Sequence, residues 1–290
     1  MRSFSVLLAT VLAAPAVAQT VTPRFTAMPA RPQPGAVVRL SLTLPATDSV
    51  QSVEGRLAGE PLHFVRRASS WRAIGGVPTD AEGNVSARAY VRFASGRVDT
   101  MRATMVLPPI PKRKAEPLRV DSSFSRPMDA ETAARVAREN ALAREVGRKS
   151  HETPRLWTAA FLKPRESRVT SVFGSGRVFN GSVQSRHLGV DYAGAVGAPI
   201  LAANRGVVAL VDSFFLAGNV VYVDHGAGVV TGYFHMSKAL VSVGDTVSRG
   251  QRIGEVGQTG RVTGPHLHWS ARYGTITVNP NDLIALARGW

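Results

Sequence analysis

Two short stretches, His187-Leu188-Gly189-Val190-Asp191 and His266-Leu267-His268, constrain the fold of this chain more than anything else in it. A histidine and a carboxylate four positions apart, joined by a distant histidine pair, can offer two imidazole nitrogens and one carboxylate oxygen to a zinc ion. Such a set leaves a fourth coordination position open and one histidine over for proton transfer, as catalytic rather than structural zinc requires. The fold must then bring two remote segments to one point. Four of the seven histidines, His187, His235, His266 and His268, stand where such a site can use them.

On a strand, residues two apart share a face, so His266 and His268 project into one groove while Leu267 points the other way. A metal held by one of them places the other beside metal-activated water. His187 follows the polar Gln184-Ser185-Arg186 and reads as the edge of a loop entering a strand. Asp191, before Tyr192-Ala193-Gly194, would on its own be a turn or cap residue; completing the ligand set gives it another use. His235 ends Thr231-Gly232-Tyr233-Phe234-His235, where it either reaches water or a reaction oxyanion, or is buried against a backbone carbonyl. No partner spacing recruits His225, which reads as structural, and His63 stands alone as an ordinary histidine.

Residues 21–107 read as short strands with turn punctuation. Val37-Val38-Arg39-Leu40-Ser41-Leu42-Thr43-Leu44 and Ala87-Arg88-Ala89-Tyr90-Val91-Arg92-Phe93 alternate, and Pro45, Gly55, Gly59, Gly75-Gly76 and Glu82-Gly83-Asn84 break the runs. This is the pattern of a small β-sandwich. Pro108-Pro109-Ile110-Pro111-Lys112-Arg113-Lys114 marks a linker. A helix is expected over 129–149, capped by Asp129, with Glu131–Arg135 and Glu145–Lys149 at i,i+4 spacing. Its larger apolar residues are only Val136, Leu142 and Val146, so it should be a connector or lid rather than a core element. From residue 156 the chain is again β-rich, with candidate strands at 199–203, 206–212, 220–225, 229–235, 252–256 and 266–273, and a short helix begins at Pro280. The expected fold is mainly β: an N-terminal β-sandwich-like domain, a helical connector, and a C-terminal antiparallel β-sheet domain with a groove. The boundaries are 1–18 for a leader, 19–110, 111–155 and 156–290.

The leader expectation rests on Arg2, an apolar run from Phe4 to Ala14, and Ala16-Val17-Ala18 before Gln19. The run is too short to span a bilayer, so the mature chain should be periplasmic or secreted after cleavage near Ala18/Gln19. There is no cysteine, which removes disulfides, thiolate ligands, a cysteine nucleophile and a lipid-attachment site. Any metal must be held by His, Asp and Glu. Lys plus Arg outnumber Asp plus Glu by 35 to 20, a net charge of +15 that suits anionic wall or membrane surfaces. The arginines are scattered rather than massed with aromatics, which argues against nucleic acid.

The set His187-x-x-x-Asp191, Tyr233-x-His235 and His266-x-His268 resembles the lysostaphin-type zinc endopeptidases. Thr170-Ser171-Val172-Phe173-Gly174 with Arg177, Gly218-Asn219-Val220-Val221, Asp224-His225-Gly226, Gly244-Asp245-x-Val247-x-x-Gly250-Gln251, Thr259-Gly260-x-x-Thr263-Gly264-Pro265 and Asn279-Pro280 are similar to that family's framework. The resemblance covers roughly residues 157–290. It implies that His187, Asp191 and His268 hold one zinc ion, that His266 is the general base, and that His235 orients water or stabilises the transition state. Zinc would lower the pKa of bound water from ~15.7 towards ~7 and polarise the scissile carbonyl. No tyrosine precedes His187 where some wall-lytic relatives have one; Asn180 and Arg186 are the available substitutes.

The implied function is an exported zinc-dependent endopeptidase that hydrolyses peptide bonds in peptidoglycan stems or cross-links, with zinc-bound water as nucleophile. The alternatives are a non-catalytic wall-binding member of the family that regulates wall hydrolysis, and a latent enzyme whose helix or N-terminal module covers the groove. The complete ligand set argues against the non-catalytic form.

Overall fold

Alternation along the strands decides the N-terminal half. The computed structural model describes residues 22–45, 48–109, 115–124, 128–181 and 183–286. The expected leader and the Lys112-Arg113-Lys114 cluster lie outside them. Strand Asn84–Phe93 buries Ala87, Ala89, Val91 and Phe93 and exposes Arg88, Tyr90 and Arg92, the two-residue period of a sheet with one wet face. Two four-stranded antiparallel sheets result. One runs Arg24–Met28, Val37–Thr43, Ser70–Gly76, Val65–Arg67; the other runs Glu60–Pro61, Val50–Leu57, Asn84–Phe93, Val98–Val106. Leu40, Leu42, Leu57, Val91, Phe93 and Met105 fill the space between them.

The connector adds more than a helix. Strand Glu116–Leu118 pairs in parallel with Gly176–Phe179, which pairs antiparallel with Val183–Arg186. The helix spans Ala130–Ser150, with the Asp129 side chain accepting from the Thr132 backbone N–H. Of the two expected i,i+4 pairs, Glu145–Lys149 forms, at 3.9 Å, and Glu131–Arg135 does not. Arg135 turns to Glu139 (2.7 Å) and not to Glu131, because the Glu139 carboxylate is buried and also accepts from the Phe215 N–H; Glu145 is shared by Arg148 and Lys149. The helix docks through small residues. Ala143, Gly147 and Ser150 are buried while Leu142 is exposed, and Ala143 packs against Phe214, Val220, Tyr222 and Val230. Gly147 is required there: a Cβ would come within 1.9 Å of the Gly274 carbonyl oxygen.

The C-terminal half is one ten-stranded sheet, antiparallel at each of its pairings among the described residues. Its main path runs Val169–Ser171, Val190–Ala193, His266–Tyr273, Val229–Ala239, Gly218–Gly226, Gly206–Phe214, Thr246–Val247; Arg252–Val256 joins Pro199–Leu201 to Val229–Ala239, and Ile276–Val278 flanks His266–Tyr273. Helix Pro280–Leu286 closes the chain's described part. Trp269, Tyr192, Tyr233, Tyr273, Ile253 and Met236 build the core under the sheet, and Val37 and Ile74 of the sandwich reach into it.

The two halves are joined by polar contacts. Asp282 accepts from the Val37 N–H (3.0 Å), the Tyr273 hydroxyl donates to the Pro61 carbonyl (2.7 Å), and Arg186 donates to the Thr79 carbonyl (2.9 Å). His63 is not the isolated histidine its sequence surroundings suggest. Its Nε2 lies 2.8 Å from His151 Nδ1, whose other nitrogen lies 2.8 Å from Glu60, so it belongs to the domain junction. No described helix is long and apolar enough to cross a membrane.

Candidate functional site

Strand register brings the remote motifs together. Asp191 pairs directly with His268, Ala193 with His266, and Phe234 with His268 across the next strand. Leu267 points into the core and is fully buried, so His266 and His268 share the opposite face. His187 enters from the loop before Val190–Ala193, pinned by its N–H to the Ser175 carbonyl and by its carbonyl to the Gly174 N–H, both 2.8 Å. Gly189 lets this loop close: a Cβ there would lie 2.4 Å from His268 Nε2.

Three donor atoms converge. His187 Nε2, His268 Nδ1 and Asp191 Oδ1 are separated pairwise by 2.9, 2.8 and 2.9 Å. The His187 Nδ1–H donates to the Val172 carbonyl (3.0 Å), which leaves Nε2 as a bare lone pair facing the other two atoms. Two imidazole nitrogens and a carboxylate oxygen at one point, with too few protons among them to bond all three pairs, form a donor set suited to zinc. The set His187, Asp191 and His268 is the group of metal-capable side chains found among the described residues.

The carboxylate is held from behind. Asp191 Oδ2 takes a close hydrogen bond from Arg177, so its two oxygens face an arginine and the imidazole pair. Burial pushes its pKa up, but the His187 and His268 imidazoles beside it outweigh that and hold it well below the usual carboxylate range. Burial also lowers His268, to about 4 despite Asp191, which keeps it neutral and able to ligate. Phe234 stacks on the His268 ring at 5.1 Å and 13°, fixing its plane.

His266 and His235 stand beside this triangle and share one tautomeric device. The His266 Nδ1–H donates to the Gly264 carbonyl and the His235 Nδ1–H to the Thr259 carbonyl, each at 2.8 Å, so both Nε2 atoms keep free lone pairs. His266 Nε2 lies 3.7 Å from Asp191 Oδ1 and the two rings are 4.9 Å apart. His235 is aimed by a β-bulge. Val221 pairs with Tyr233 but Asn219 with Met236, so the 229–239 strand carries an extra residue, and His235 takes φ +61. A non-glycine residue there costs roughly 1–2 kcal/mol. Burial, then the neighbouring His266 and His268, push its pKa well down.

The remaining candidates fall outside the cluster. His225 is buried, its Nδ1–H on the Arg205 carbonyl and its Nε2 by Thr231. Asn180 is used on the connector, bonding both backbone groups of Val120, while Arg186 borders the groove. Sequence reasoning gave no individual role to Arg177, Phe234 or Arg261; for Phe234, its place beside His235 on a strand opposite His268 was the available signal. The groove holds a cavity of about 260 Å³ between His187, His235 and His268 on one side and Val136, Glu139, Asn140 and Ala143 of the connector helix on the other. A second cavity, about 210 Å³, opens at Asp191 and His266.

Residues 185–280 match the family described as Peptidase family M23. Peptidoglycan DD-endopeptidase ShyA of Vibrio cholerae serotype O1 is 51% identical over 83 residues, which are 29% of this chain and 19% of that protein. DD-carboxypeptidase/endopeptidase Mpg of Neisseria meningitidis serogroup B is 44% identical over 94 residues, 32% of this chain and 22% of its own. The chain thus spans about a fifth of the length of these relatives. Among solved structures, a candidate peptidase M23 from Pseudomonas aeruginosa superposes with a TM-score of 0.66 at 28% identity, over 88% of this chain and 95% of the other. That superposition takes in sandwich and connector as well as the ten-stranded sheet. Residues 185–280 of this chain are a domain of peptidase family M23, of the lysostaphin type.

Proposed function

We propose that this chain is an exported zinc-dependent endopeptidase that hydrolyses peptide bonds in peptidoglycan stems or cross-links. The observation that carries this reading is the convergence of His187, Asp191 and His268 with the open Nε2 atoms of His266 and His235 beside them. The peptidoglycan DD-endopeptidases among its relatives support the substrate, and the net charge of +15 suits an anionic wall. The leader-like residues 1–18 support export to the periplasm or beyond.

His187 Nε2, His268 Nδ1 and Asp191 Oδ1 hold one zinc ion per chain. When bound, it supplies a Lewis acid that polarises a carbonyl and makes water nucleophilic near neutral pH. Arg177 keeps the Asp191 carboxylate oriented and ionised. His266, the more open of the two free histidines, takes the proton at Nε2 and returns it to the leaving amine, its tautomer fixed by Gly264. His235 stays neutral because it is buried, so its Nε2 accepts a hydrogen bond and orients water rather than donating to an oxyanion. One observation favours a latent form of the same enzyme: the connector helix forms a wall of the cavity beside the site.

Mass spectrometry of muropeptides released from purified sacculi tests the reading. Cleavage of peptide bonds should stop with a chelator, return with zinc, and fall about 10²–10⁴-fold in His266→Ala with its metal content retained. Cleavage unchanged by the chelator would reject the metal centre, and unchanged cleavage by the variant would reject His266 as base.

A further inference from the structure

The groove contains a cation that the chemistry above leaves unused and that, unlike Arg186 and Arg272 beside it, donates to no backbone carbonyl among the described residues. Arg261 lies in the loop before His266, and its guanidinium sits 4.1 Å above the Phe179 ring centroid. Its backbone N–H bonds the Leu216 carbonyl, but among the described residues no carboxylate or carbonyl accepts from its side chain. Arg177, Phe179 and Arg261 line both cavities of the groove, the one holding His235 and His268 and the one opening at Asp191 and His266. A peptide lying through the groove passes Arg261 as it reaches the metal centre.

The local charge is unbalanced. Asp191 is already matched by Arg177 and the imidazoles, and Glu139 by Arg135 and the Phe215 N–H. Glu116, at the rim of the second cavity, is exposed and makes no ion pair with Arg261. Burial, and secondarily the proximity of Arg177, lower the pKa of Arg261, so the guanidinium is held at an electrostatic cost. A planar fork of donors, preset by stacking on an aromatic ring and paired with no carboxylate among the described residues, matches a carboxylate in two-pronged geometry.

We infer that Arg261 is the anchor for a free carboxylate of the peptide substrate, one that flanks the scissile bond. The inference rests on the peptidase reading. Two carboxylates of a wall peptide have this chemistry: the one on the residue that supplies the leaving amine, and the one at the end of the stem. Arg261 makes a stem with its acids free a better ligand than one with them amidated, and it acts on binding more than on turnover.

Calorimetric binding of synthetic stem peptides to the full mature protein tests this, with peptides carrying both carboxylates free, either one amidated, or both amidated. Wild type should bind the free-acid peptide about ten- to a hundredfold more tightly than the peptide amidated at the recognised position, and the singly amidated peptides identify that position. Arg261→Gln should lose this preference and bind the doubly amidated peptide as wild type does. Arg261→Lys, which keeps the charge and loses the fork, should fall between them. In steady-state hydrolysis the loss should appear in KM with little change in kcat. A preference that survives in Arg261→Gln, no preference in wild type, or equal weakening for all peptides overturns the assignment. Selective binding without hydrolysis of any peptide would instead reject the peptidase reading and leave the anchor standing.

Discussion

The sandwich and the ten-stranded sheet obey the same strand physics, yet they differ in what they bury. The sandwich core is aliphatic and aromatic. Among the described residues its one buried ionisable side chain is Glu60, which faces the other domain through His151 and Thr275. The C-terminal sheet buries His187, Asp191, Asp224, His225, Thr231 and His235. Burying such groups is costly unless each finds a partner, and each has one here. Asp224 ties down Ser150 and Thr153 of the connector, and the imidazoles are set by backbone carbonyls. A sandwich core can be oil-filled; the C-terminal sheet carries polar groups inside and fixes their directions, as the proposed metal and proton chemistry would require.

Substitutions can break this contrast. Asp191→Ala should have the largest effect. It removes one of the three proposed ligands and leaves Arg177 opposite two imidazoles, so metal content by plasma emission should fall to that of chelated protein and hydrolysis with it. Leu40→Ala, in the sandwich core, should lower unfolding free energy by about 2–5 kcal/mol in urea while leaving metal content and turnover per folded molecule unchanged. If Leu40→Ala also emptied the metal centre, the sandwich would be part of the site rather than its support. Gly147→Ala comes next. The added methyl meets the Gly274 carbonyl, so the helix must shift, at about 1–3 kcal/mol. Should the helix restrain the enzyme, this variant hydrolyses sacculi faster per folded molecule. An unchanged rate would make the helix a fixed wall.

The same contrast explains what could be read from the sequence. The sandwich was legible because Asn84–Phe93 alternates strictly, and the shared face of His266 and His268 because residues two apart on a strand point the same way; that His268 rather than His266 meets His187 and Asp191 came from the family resemblance alone. The docking of the connector helix was not. It buries Ala143, Gly147 and Ser150, residues with little hydropathy, and exposes Leu142, so an apolar count points to the wrong face. Strand Glu116–Leu118 has no alternation to announce it, being three residues long and containing a proline. Arg177 was visible only as part of the family-like framework, with no role attached, and Arg261 was hidden among many scattered arginines. His63 looked alone because its partner, His151, is a helix cap far along the chain.

His225 and His63 give the smallest and most discriminating test. Burial, partly offset by the Arg205 carbonyl and Asp224, lowers the pKa of His225 to about 4, against roughly 6.5 in an unfolded chain. Between those values the unfolded state binds a proton that the folded state refuses. The stability from His225 is therefore complete above about pH 6.5, declines as the pH falls and is lost by about pH 4, with a slope of at most about 1.4 kcal/mol per pH unit. His63, half-buried at the domain junction, is also lowered, by burial and then by His151, so its contribution has the same sign and a smaller size. In chelated protein, urea midpoints at pH 7 and pH 4.5 should differ less in His225→Gln than in wild type, with His63→Gln between the two. If His63→Gln removed the larger share, the acid sensitivity of this molecule would lie in the contact between its domains, and the buried polar framework of the C-terminal sheet would be indifferent to pH.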